Sequence, residues 1–224
     1  MNRVIHWKQP WLKVEDALGQ IKNIFCVGRN YVDHAKELGN DVPEQPMIFA
    51  KSTHALHSAH ELLQLPTDMG SVHHELEWVL WIDSDIHSAA DFPSAIGGVA
   101  LGLDLTLRDV QSRLKAAGHP WELAKSFPQS AVLTDFYQVE DWQELLHTSF
   151  SLVRQGQILQ QGKAEDMIFD FPTLLEYVAR YFGLAKGDIL FTGTPAGVGP
   201  VQPGDELEWR IAEKTIAKTK VQER

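Results

Sequence analysis

Residues 72–82 have the sequence Val-His-His-Glu-Leu-Glu-Trp-Val-Leu-Trp-Ile, which predicts a β-strand that is apolar on both faces. Side chains alternate along a strand, so Glu75 and Glu77 should point the same way, about 7 Å apart. We expect both faces to be covered and these carboxylates to be buried at one end. Buried like charges are costly unless a shared proton, a neighbouring Lys or Arg, or a divalent cation neutralises them. A solvated strand face is the usual alternative, but the apolar pattern favours a metal site.

A third carboxylate, Asp104, follows the apolar residues 99–103, where a predicted buried strand meets a predicted helix. Arg108 and Gln111 come next at helical spacing, so Asp104 can share one face with them. By itself this pattern is more typical of an Asp cap with an Arg partner. Together with Glu75 and Glu77, however, Asp104 supplies a third oxygen ligand. Three carboxylates without cysteine suit a hard ion such as Mg²⁺, Mn²⁺ or Ca²⁺.

The composition describes an acidic protein with enough apolar residues for one core. The chain has 224 residues, of which 44% are hydrophobic, and its formal net charge is -10. These values favour a single domain and argue against nucleic acid or another polyphosphate as a partner. No hydrophobic leader and no apolar run of about 20 residues is found, so we expect a cytoplasmic protein without a membrane span. Cys26 lies in an apolar run and is predicted to be a buried, inert thiol.

Short strands and a few helices alternate along the chain, without repeats. Besides 72–82, strands are predicted at residues 23–27, 47–50, 61–65, 97–105, 150–154, 157–161 and 188–191. Helices are predicted at residues 30–38, 88–95, 106–117 and 171–182, the first of them capped by Asn30. Gly and Pro recur through residues 192–200, which predicts a sharply turning loop.

Five segments, taken in order, carry a family resemblance. They are Cys26-Val27-Gly28-Arg29-Asn30-Tyr31 with His34 and Glu37, His73-His74-Glu75-Leu76-Glu77, Leu-Asp-Leu-Thr-Leu-Arg-Asp-Val-Gln at 103–111, Ala-Lys-Ser-Phe at 124–127, and Thr-Gly-Thr-Pro-Ala-Gly-Val-Gly at 192–199. In this order they resemble the fumarylacetoacetate hydrolase family, in its short, single-domain branch. We therefore interpret residues 1–22 as an N-terminal extension and residues 23–224 as a single fumarylacetoacetate hydrolase-like catalytic domain.

The resemblance implies a fold, an assembly and a metal. The expected fold is α+β, a mixed β-sheet roll with a few short helices and a lid helix, and the expected assembly is a homodimer. Glu75, Glu77 and Asp104 match the family's ligands for Mg²⁺ or Mn²⁺. The substrate implied is a small 2-keto acid, which such a metal can chelate while it stabilises negative charge on the keto oxygen.

The remaining site residues follow from the same resemblance. His34 and Glu37 match a catalytic dyad on the lid helix, and Lys125, Gln111 and Thr194 match groups around the keto-acid end of the substrate. The spacing agrees, because residues three apart share one helix face and Glu37 could raise the basicity of His34. Without the motifs, a solvated helix face and a surface lysine would be the simpler interpretation. Backbone amides of residues 192–199 and the Thr194 hydroxyl could hold a substrate carboxylate.

Four functions remain open at this point. The leading hypothesis is a hydrolase that cleaves a C–C bond in acylpyruvate-type 2,4-diketo acids through a metal-bound enolate. The same site could decarboxylate oxaloacetate or act as a 2-hydroxyhepta-2,4-diene-1,7-dioate isomerase-type enzyme. A silent small-acid-binding or metal-binding protein is disfavoured, because a binding module needs no His34–Glu37 dyad. Three further histidines, His54, His57 and His60, could bind zinc, although a mobile polar loop is the favoured interpretation.

Overall fold

The computed structural model describes residue 7, residues 9–37, residue 39 and residues 41–224. The α-helices are α1 Val14–Leu18, α2 Val32–Glu37, α3 Arg108–Ala117, α4 Glu122–Lys125, α5 Trp142–His147 and α6 Phe171–Phe182. The strands are β1 Ile24–Gly28, β2 Met47–Lys51, β3 Leu56–Ser58, β4 Leu63–Leu65, β5 Val72–His74, β6 Leu76–Ile82, β7 Ile96–Asp104, β8 Thr106–Leu107, β9 Ala131–Leu133, β10 Phe150–Arg154, β11 Gln157–Gly162, β12 Ile189–Phe191, β13 Gly199–Pro200, β14 Glu206–Ile211 and β15 Lys214–Glu223. Short 3₁₀ helices cover Thr53–Ala55, Ala89–Asp91 and Ala164–Asp166.

A mixed sheet of seven strands runs in the order β2-β1-β12-β6-β7-β9-β3. β1 is parallel to β12 and β3 is parallel to β9, whereas the other neighbours are antiparallel. β6 lies at the centre and is buried along its whole length, as its two apolar faces predict. Gly102 of β7 permits close packing here, because a Cβ at this position would lie 2.5 Å from Cε1 of Phe191.

Two smaller sheets complete the β-structure, one in the order β11-β10-β14-β15-β4 and the other in the order β13-β5-β8. Trp78 of β6 packs in the main core with Phe150 and Trp209, which belong to the second sheet. Val79, the next residue of β6, packs in another core cluster, because neighbouring side chains of a strand point to opposite faces. The chain is thus a mixed β-sheet roll with few helices, and the predicted α+β fold is confirmed.

The described part of residues 1–22 packs against the sheet. Val14 and Ala17 of α1 are fully buried in the second core cluster. The backbone N–H of Val14 donates to the Asp135 carboxylate at 2.9 Å, and Lys13 forms an ion pair with the same carboxylate at 2.9 Å. This part of the predicted extension therefore contributes to the core. Residues 1–6 and 8 lie outside the described residues, and a domain boundary at residue 23 remains a prediction.

Several predicted elements differ from the structure for identifiable reasons. A helix over residues 88–95 is wrong, since only the 3₁₀ turn Ala89–Asp91 forms there and Pro93 removes a backbone donor from the middle of the predicted helix. Helix α3 begins at Arg108 rather than at Thr106, because Thr106–Leu107 pairs with β5 instead. Asn30 does not cap α2, since its side chain bonds to other segments. Residue 38, the predicted end of that helix, lies outside the described residues.

Besides β8, three regions of strand are absent from the sequence prediction. They are the C-terminal hairpin β14–β15, the parallel pair of β3 with β9, and the two-residue strand β13 within the predicted loop 192–200. The long helix α6 and the hairpin β10–β11 were predicted and are observed, the helix with the same bounds. Among the described residues, no helix has both the length and the apolar character that crossing a membrane requires.

Candidate active site

Three buried carboxylates converge where the β6–β7 strand pair begins. The ladder pairs Glu77 with Gly102, and the backbone N–H of Asp104 donates to the Glu75 carbonyl at 2.9 Å. One oxygen from each of Glu75, Glu77 and Asp104 lies within 4.8 Å of the others, and these residues are 6%, 1% and 1% exposed. Glu75 sits in the break between β5 and β6, so the predicted strand is interrupted at this residue. The strand pairing nevertheless brings all three carboxylates together.

Two buried lysines and an arginine neutralise much of this cluster. Lys125 Nζ donates to Glu75 Oε2 at 2.7 Å and to Asp104 Oδ2 at 2.6 Å. Lys51 Nζ lies 2.7 Å from Asp104 Oδ1, and Arg108 Nη2 donates to Glu75 Oε1 at 2.6 Å. Burial acts to raise the pKa of Glu75, but Lys125 and Arg108 outweigh it and hold that pKa below its usual range. Burial acts to lower the pKa of Lys125, but Asp104 and Glu75 raise it above its ordinary value.

Glu77 is the carboxylate without a cationic partner. Its Oε2 accepts a hydrogen bond from the Gly193 N–H at 2.6 Å, and within the described part of the chain it forms no salt bridge. Burial, and then the charges of Asp104 and Glu75, raise the pKa of Glu77 well above its ordinary value. A divalent cation would remove this repulsion, and an all-oxygen donor set is the one that Mg²⁺ and Mn²⁺ prefer. The three carboxylates therefore fit a hard divalent ion.

Lys51 is a site residue that the sequence motifs did not indicate. It ends β2 and is 5% exposed. Its Nζ also donates to the carbonyls of Leu105 and Ser130, at 3.2 and 2.9 Å, so it fixes the segment that carries Asp104. The sequence did contain one signal for it, a lone lysine at the end of the apolar residues 47–50. Lysine is almost never fully buried unless it is paired, so a buried lysine here predicts a carboxylate partner.

The predicted lid helix is α2, and it carries both members of the expected dyad. His34 is 4% exposed, and its Nδ1 lies 3.5 Å from Glu37 Oε2. The Glu37 carboxylate also accepts from the Gly197 N–H, at 3.1 and 3.2 Å, which joins the helix to the loop at residues 192–200. Burial lowers the pKa of His34, although Glu75 and Glu37 oppose that shift. The imidazole is therefore neutral at pH 7 and able to accept a proton.

One cavity brings most of the predicted site side chains together, namely His34, Glu75, Glu77, Gln111, Lys125 and Thr194. The other two, Asp104 and Glu37, hydrogen bond to Lys125 and His34. Gln111 Oε1 accepts from Arg108 Nη1 at 2.7 Å. A guanidinium can only donate, so the amide oxygen of Gln111 must face Arg108 and its NH₂ group can serve a ligand oxygen.

A buried glutamine, Gln160 of β11, connects the carboxylate strand to the Gly/Pro loop. Its Oε1 accepts from the Leu76 N–H at 3.0 Å and lies 2.7 Å from His74 Nδ1. Its Nε2 donates to the Pro195 carbonyl and to the Thr194 hydroxyl, both at 2.9 Å. A backbone N–H only donates and a carbonyl only accepts, which fixes the orientation of the amide. His74 must therefore carry its proton on Nδ1.

The same contacts limit what Thr194 can offer a ligand. Its hydroxyl donates to the Leu76 carbonyl at 2.8 Å and accepts from Gln160. A hydroxyl has a single proton, so the side chain has none to donate to a substrate carboxylate while this network is intact. The backbone N–H of Thr194 makes no hydrogen bond with the described residues. This favours the backbone N–H over the hydroxyl as the donor that meets a ligand.

We expect Gln160→Leu to lower the free energy of unfolding by about 2–4 kcal/mol, since the buried Leu76 N–H and Pro195 carbonyl would lose a partner and each such loss costs about 1–3 kcal/mol. Urea unfolding monitored by circular dichroism measures this change. The matched control is Gln161→Leu, which alters the exposed neighbour on the same strand and should change stability by less than about 0.5 kcal/mol. Equal effects of the two substitutions would show that the Gln160 network contributes little.

His54, His57 and His60 do not form a metal site with acidic groups. His57 is largely buried and its Nε2 contacts the Leu62 carbonyl at 3.1 Å. His60 Nε2 lies 3.5 Å from the Asp135 carboxylate. In the described part of the chain, the three carboxylates are the only group of three or more His, Cys, Asp and Glu residues close enough to share an ion. The expected polar loop is also wrong, because this segment is a 3₁₀ turn followed by β3.

Comparison with known proteins places this arrangement in a family. Residues 23–222 match the model of the fumarylacetoacetate (FAA) hydrolase C-terminal family. The chain is 43% identical over 190 residues to oxaloacetate tautomerase YcgM of Escherichia coli (strain K12), a match that covers 84% of this chain and 87% of that protein. It is 37% identical over 196 residues to the mitochondrial oxaloacetate decarboxylase of Dictyostelium discoideum, covering 85% of this chain and 88% of that protein.

A solved structure agrees with these relatives. The fumarylpyruvate hydrolase of Pseudomonas aeruginosa, determined in complex with Mn²⁺ and pyruvate, superposes with a TM-score of 0.84. The two sequences are 32% identical, and the match covers 91% of each chain. The order of motifs, the mixed sheet roll and the buried carboxylates agree with this match, and the chain belongs to the fumarylacetoacetate hydrolase family.

Proposed function

We propose that this protein is a divalent-metal-dependent enzyme that interconverts the keto and enol forms of oxaloacetate. The observation that carries the proposal is the set of three buried carboxylates, one of them without a counter-charge, beside a neutral buried histidine. The relatives at 43% and 37% identity, an oxaloacetate tautomerase and an oxaloacetate decarboxylase, support oxaloacetate over an acylpyruvate as the main substrate. Sequence alone favoured acylpyruvate hydrolysis.

Glu75, Glu77 and Asp104 would hold Mg²⁺ or Mn²⁺. An ion bound there supplies Lewis acidity toward the carboxylate and keto oxygens at one end of a 2-keto acid. The protein keeps these ligands ready, since Lys125, Lys51 and Arg108 hold Glu75 and Asp104 in place by hydrogen bonds and ion pairs. Preorganised charges in a site that excludes water stabilise a transition state more strongly than charges in solvent do.

The chain offers one group suited to moving the proton. Tautomerisation removes a proton from C3 of oxaloacetate, adds one to the oxygen on C2, and shifts the double bond accordingly. His34 lines the cavity and is neutral at pH 7, because burial lowers its pKa. Its Nδ1 faces Glu37 at 3.5 Å, which leaves Nε2 to accept the C3 proton. Glu37 would orient the ring and stabilise the imidazolium that forms.

Three groups are suited to orienting the substrate. The Lys125 ammonium lies between Glu75 and Asp104, where it can also meet negative charge at the keto-acid end. The NH₂ group of Gln111 and the backbone N–H of Thr194 have no hydrogen bond to the described residues. Both residues line the cavity, so they can donate to substrate oxygens without breaking an internal contact.

Hydrolysis of an acylpyruvate is the second candidate, and the His34–Glu37 pair is the observation that favours it. The same base could deprotonate a water, which would attack the distal carbonyl and break the C–C bond. The similarity to a fumarylpyruvate hydrolase supports this alternative.

Oxaloacetate decarboxylation needs no attacking water, since the bond to the terminal carboxylate breaks and its electrons move toward the keto group.

A comparison of three assays on the Mn²⁺-loaded protein tests the proposal. Enol oxaloacetate is followed by its ultraviolet absorbance, pyruvate release from oxaloacetate by a coupled assay, and acetylpyruvate cleavage by loss of the diketone absorbance. We expect the largest kcat/KM for enol–keto interconversion. A larger kcat/KM for acetylpyruvate would establish the hydrolase instead, and no acceleration of any of these reactions would reject 2-keto acids as substrates.

We expect the segment 30–39 to become ordered over bound ligand. The helix α2 is six residues long, and among the described residues its side-chain hydrogen bonds to other segments are those of Glu37 with the Gly197 N–H. Oxalate resembles the keto-acid end of the substrate, and at about 100 times its Kd it could slow amide exchange by up to about 100-fold. Hydrogen–deuterium exchange with Mn²⁺, with and without oxalate, measures this. Helix α6 serves as the internal control, and unchanged protection of segment 30–39 would refute the lid.

A further inference from the structure

Arg29 lines the same cavity and has an unusual backbone conformation. It follows β1, lines the cavity with His34 and Glu75, and is half-buried. Its φ of 59° lies in the left-handed region, which costs free energy for a residue with a side chain and persists where the surroundings fix the backbone. The neighbouring Asn30 fixes the backbone here, since its side chain donates to the Thr192 carbonyl at 2.8 Å and accepts from the Phe169 N–H at 2.8 Å.

The charge of Arg29 has no partner within the described residues. Its guanidinium makes no hydrogen bond and no salt bridge there, whereas Arg108 and Lys125 are paired with carboxylates of the cluster. Lys115 of α3 lines the same cavity. Partial desolvation, and then the positive charges of Arg29 and Arg108, lower the pKa of Lys115. Arg29 and Lys115 therefore place two positively charged side chains in the lining of the cavity, although the whole chain carries a formal net charge of -10.

A half-buried guanidinium that lines the cavity and has no partner among the described residues is suited to an anionic ligand group. Arginine presents a planar fork that binds a carboxylate through two parallel hydrogen bonds. The ligand group that meets Arg29 cannot be the carboxylate of the keto-acid end, because in the proposed function that end lies at Glu75, Glu77 and Asp104. A second carboxylate, at the other end of a short substrate, would instead meet the part of the cavity lining that Arg29 supplies. A local cationic field would also draw a dianion toward the site in this acidic protein.

We infer that Arg29 binds the distal carboxylate of a short dicarboxylate 2-keto acid and makes the enzyme select such substrates over monocarboxylate 2-keto acids. This inference rests on the proposed function, since it assumes that the keto-acid end lies at Glu75, Glu77 and Asp104. It assigns Arg29 a direct contact with substrate at the atoms that do not react. Arg29 should therefore affect substrate affinity far more than it affects the proton transfer itself.

The test compares oxaloacetate with oxalate on the Mn²⁺-loaded enzyme. Oxalate mimics the keto-acid end and has no distal carboxylate, so it does not reach Arg29. We expect Arg29→Gln to raise the KM for oxaloacetate about 10–100-fold, the effect of losing a charged hydrogen-bonded pair, while the Ki of oxalate changes less than about twofold. Arg29→Lys, which keeps the charge without the fork, should give an intermediate KM. Arg113→Gln, an exposed arginine on α3 outside the cavity, is the control and should match the wild type.

Two results would overturn the inference. An unchanged KM in Arg29→Gln would show that no substrate carboxylate meets this residue, and a parallel rise in the oxalate Ki would show a structural role. If the wild type does not turn over oxaloacetate, the proposed function fails, and the inference is then decided by calorimetry with malate and 2-hydroxybutanoate, which differ by a carboxylate in place of a methyl group. Malate binding at least tenfold tighter than 2-hydroxybutanoate, with this difference lost in Arg29→Gln, supports the distal-carboxylate site, and equal binding in the wild type overturns it.

Discussion

Glu77→Gln should give a metal-free protein that is more stable than the wild type and that has lost its activity. Glu77 is buried beside two other carboxylates and has no cationic partner among the described residues, so neutralising it removes repulsion. The amide oxygen can still accept from the Gly193 N–H. We expect the Tm of the metal-free protein to rise by about 2–4 °C, which corresponds to about 1 kcal/mol for a domain of this size. Activity should fall by at least about 10³-fold, as when a principal electrostatic group is removed.

The raised pKa of Glu77 also predicts how the stability of the metal-free protein changes with pH. The pKa of Glu77 is raised by burial, Asp104 and Glu75, so the metal-free folded state binds a proton that the unfolded state has already released. Stability should therefore fall as the pH rises from the ordinary glutamate pKa of 4.5 through the raised value. Glu77→Gln should lack this loss. Added Mn²⁺ should raise the Tm of the wild type but not that of the variant.

Glu213→Gln is the matched control, since Glu213 is exposed in the turn between β14 and β15. It should keep the wild-type Tm, Mn²⁺ response and activity. A Glu77→Gln variant that is less stable than the wild type when metal-free would contradict the account of an uncompensated carboxylate. A variant that keeps the full Mn²⁺-induced rise in Tm would remove Glu77 from the metal site.

His34→Ala should slow the reactions that need proton transfer by about 10²–10⁴-fold, the usual contribution of a general base. Enol–keto interconversion and acylpyruvate cleavage both belong to this group. Decarboxylation should be less affected, because it breaks a C–C bond without removing a C3 proton or activating a water. The affinity for Mn²⁺ should be unchanged, since His34 is no ligand in the proposed site. Steady-state kinetics for the three reactions and calorimetry with Mn²⁺ measure these effects.

The dependence of the wild-type kcat/KM on pH provides a second test of the role of His34. Burial lowers its pKa, so kcat/KM should stay level as the pH falls through the ordinary histidine value of 6.5 and decline only below it. His54→Ala, which changes an exposed histidine, should leave rates and profile as in the wild type. Equal losses of all three reactions in His34→Ala would assign the residue to lid closure or a shared step. Full retention of interconversion would exclude it as the base.

The sequence was sufficient to locate the carboxylate cluster because the relevant signals are local. Glu75 and Glu77 interrupt an apolar run, and Asp104 marks the point where a buried strand ends. The antiparallel pairing of β6 with β7 then brings Asp104 next to Glu75 and Glu77. The lid residues His34 and Glu37 could also be predicted, since they are three positions apart on a helix and therefore share one face. Their actual distance of 3.5 Å agrees with that spacing.

Other site residues depend on contacts that no local pattern contains. Lys51 meets Asp104 across 53 positions of sequence, and Gln160 meets the residues on either side of Glu75 from a different sheet. A polar residue in a hairpin strand is ordinarily assigned to the solvent face. Arg29 carries no signal beyond its place in a motif, because its left-handed backbone and unpaired charge become visible only in three dimensions.

The missing C-terminal strands had a different cause. Leu207, Trp209 and Ile211 alternate with polar residues and are fully buried, which is the ordinary pattern of a half-buried strand. This alternation is a local signal for β14 that the sequence prediction missed. The parallel pair of β3 with β9 is harder to foresee, since each strand is three residues long and short apolar runs are ambiguous.

The most direct test of the central claim is the rate of enol–keto interconversion of oxaloacetate by chelator-treated protein as Mn²⁺ is added back. The claim is that Glu75, Glu77 and Asp104 hold a divalent ion on which catalysis depends. We expect the metal-free protein to be close to the uncatalysed rate, and the rate to rise and saturate with one Mn²⁺ per chain. Equal rates before and after Mn²⁺ addition, with the protein shown to be metal-free, would contradict the claim.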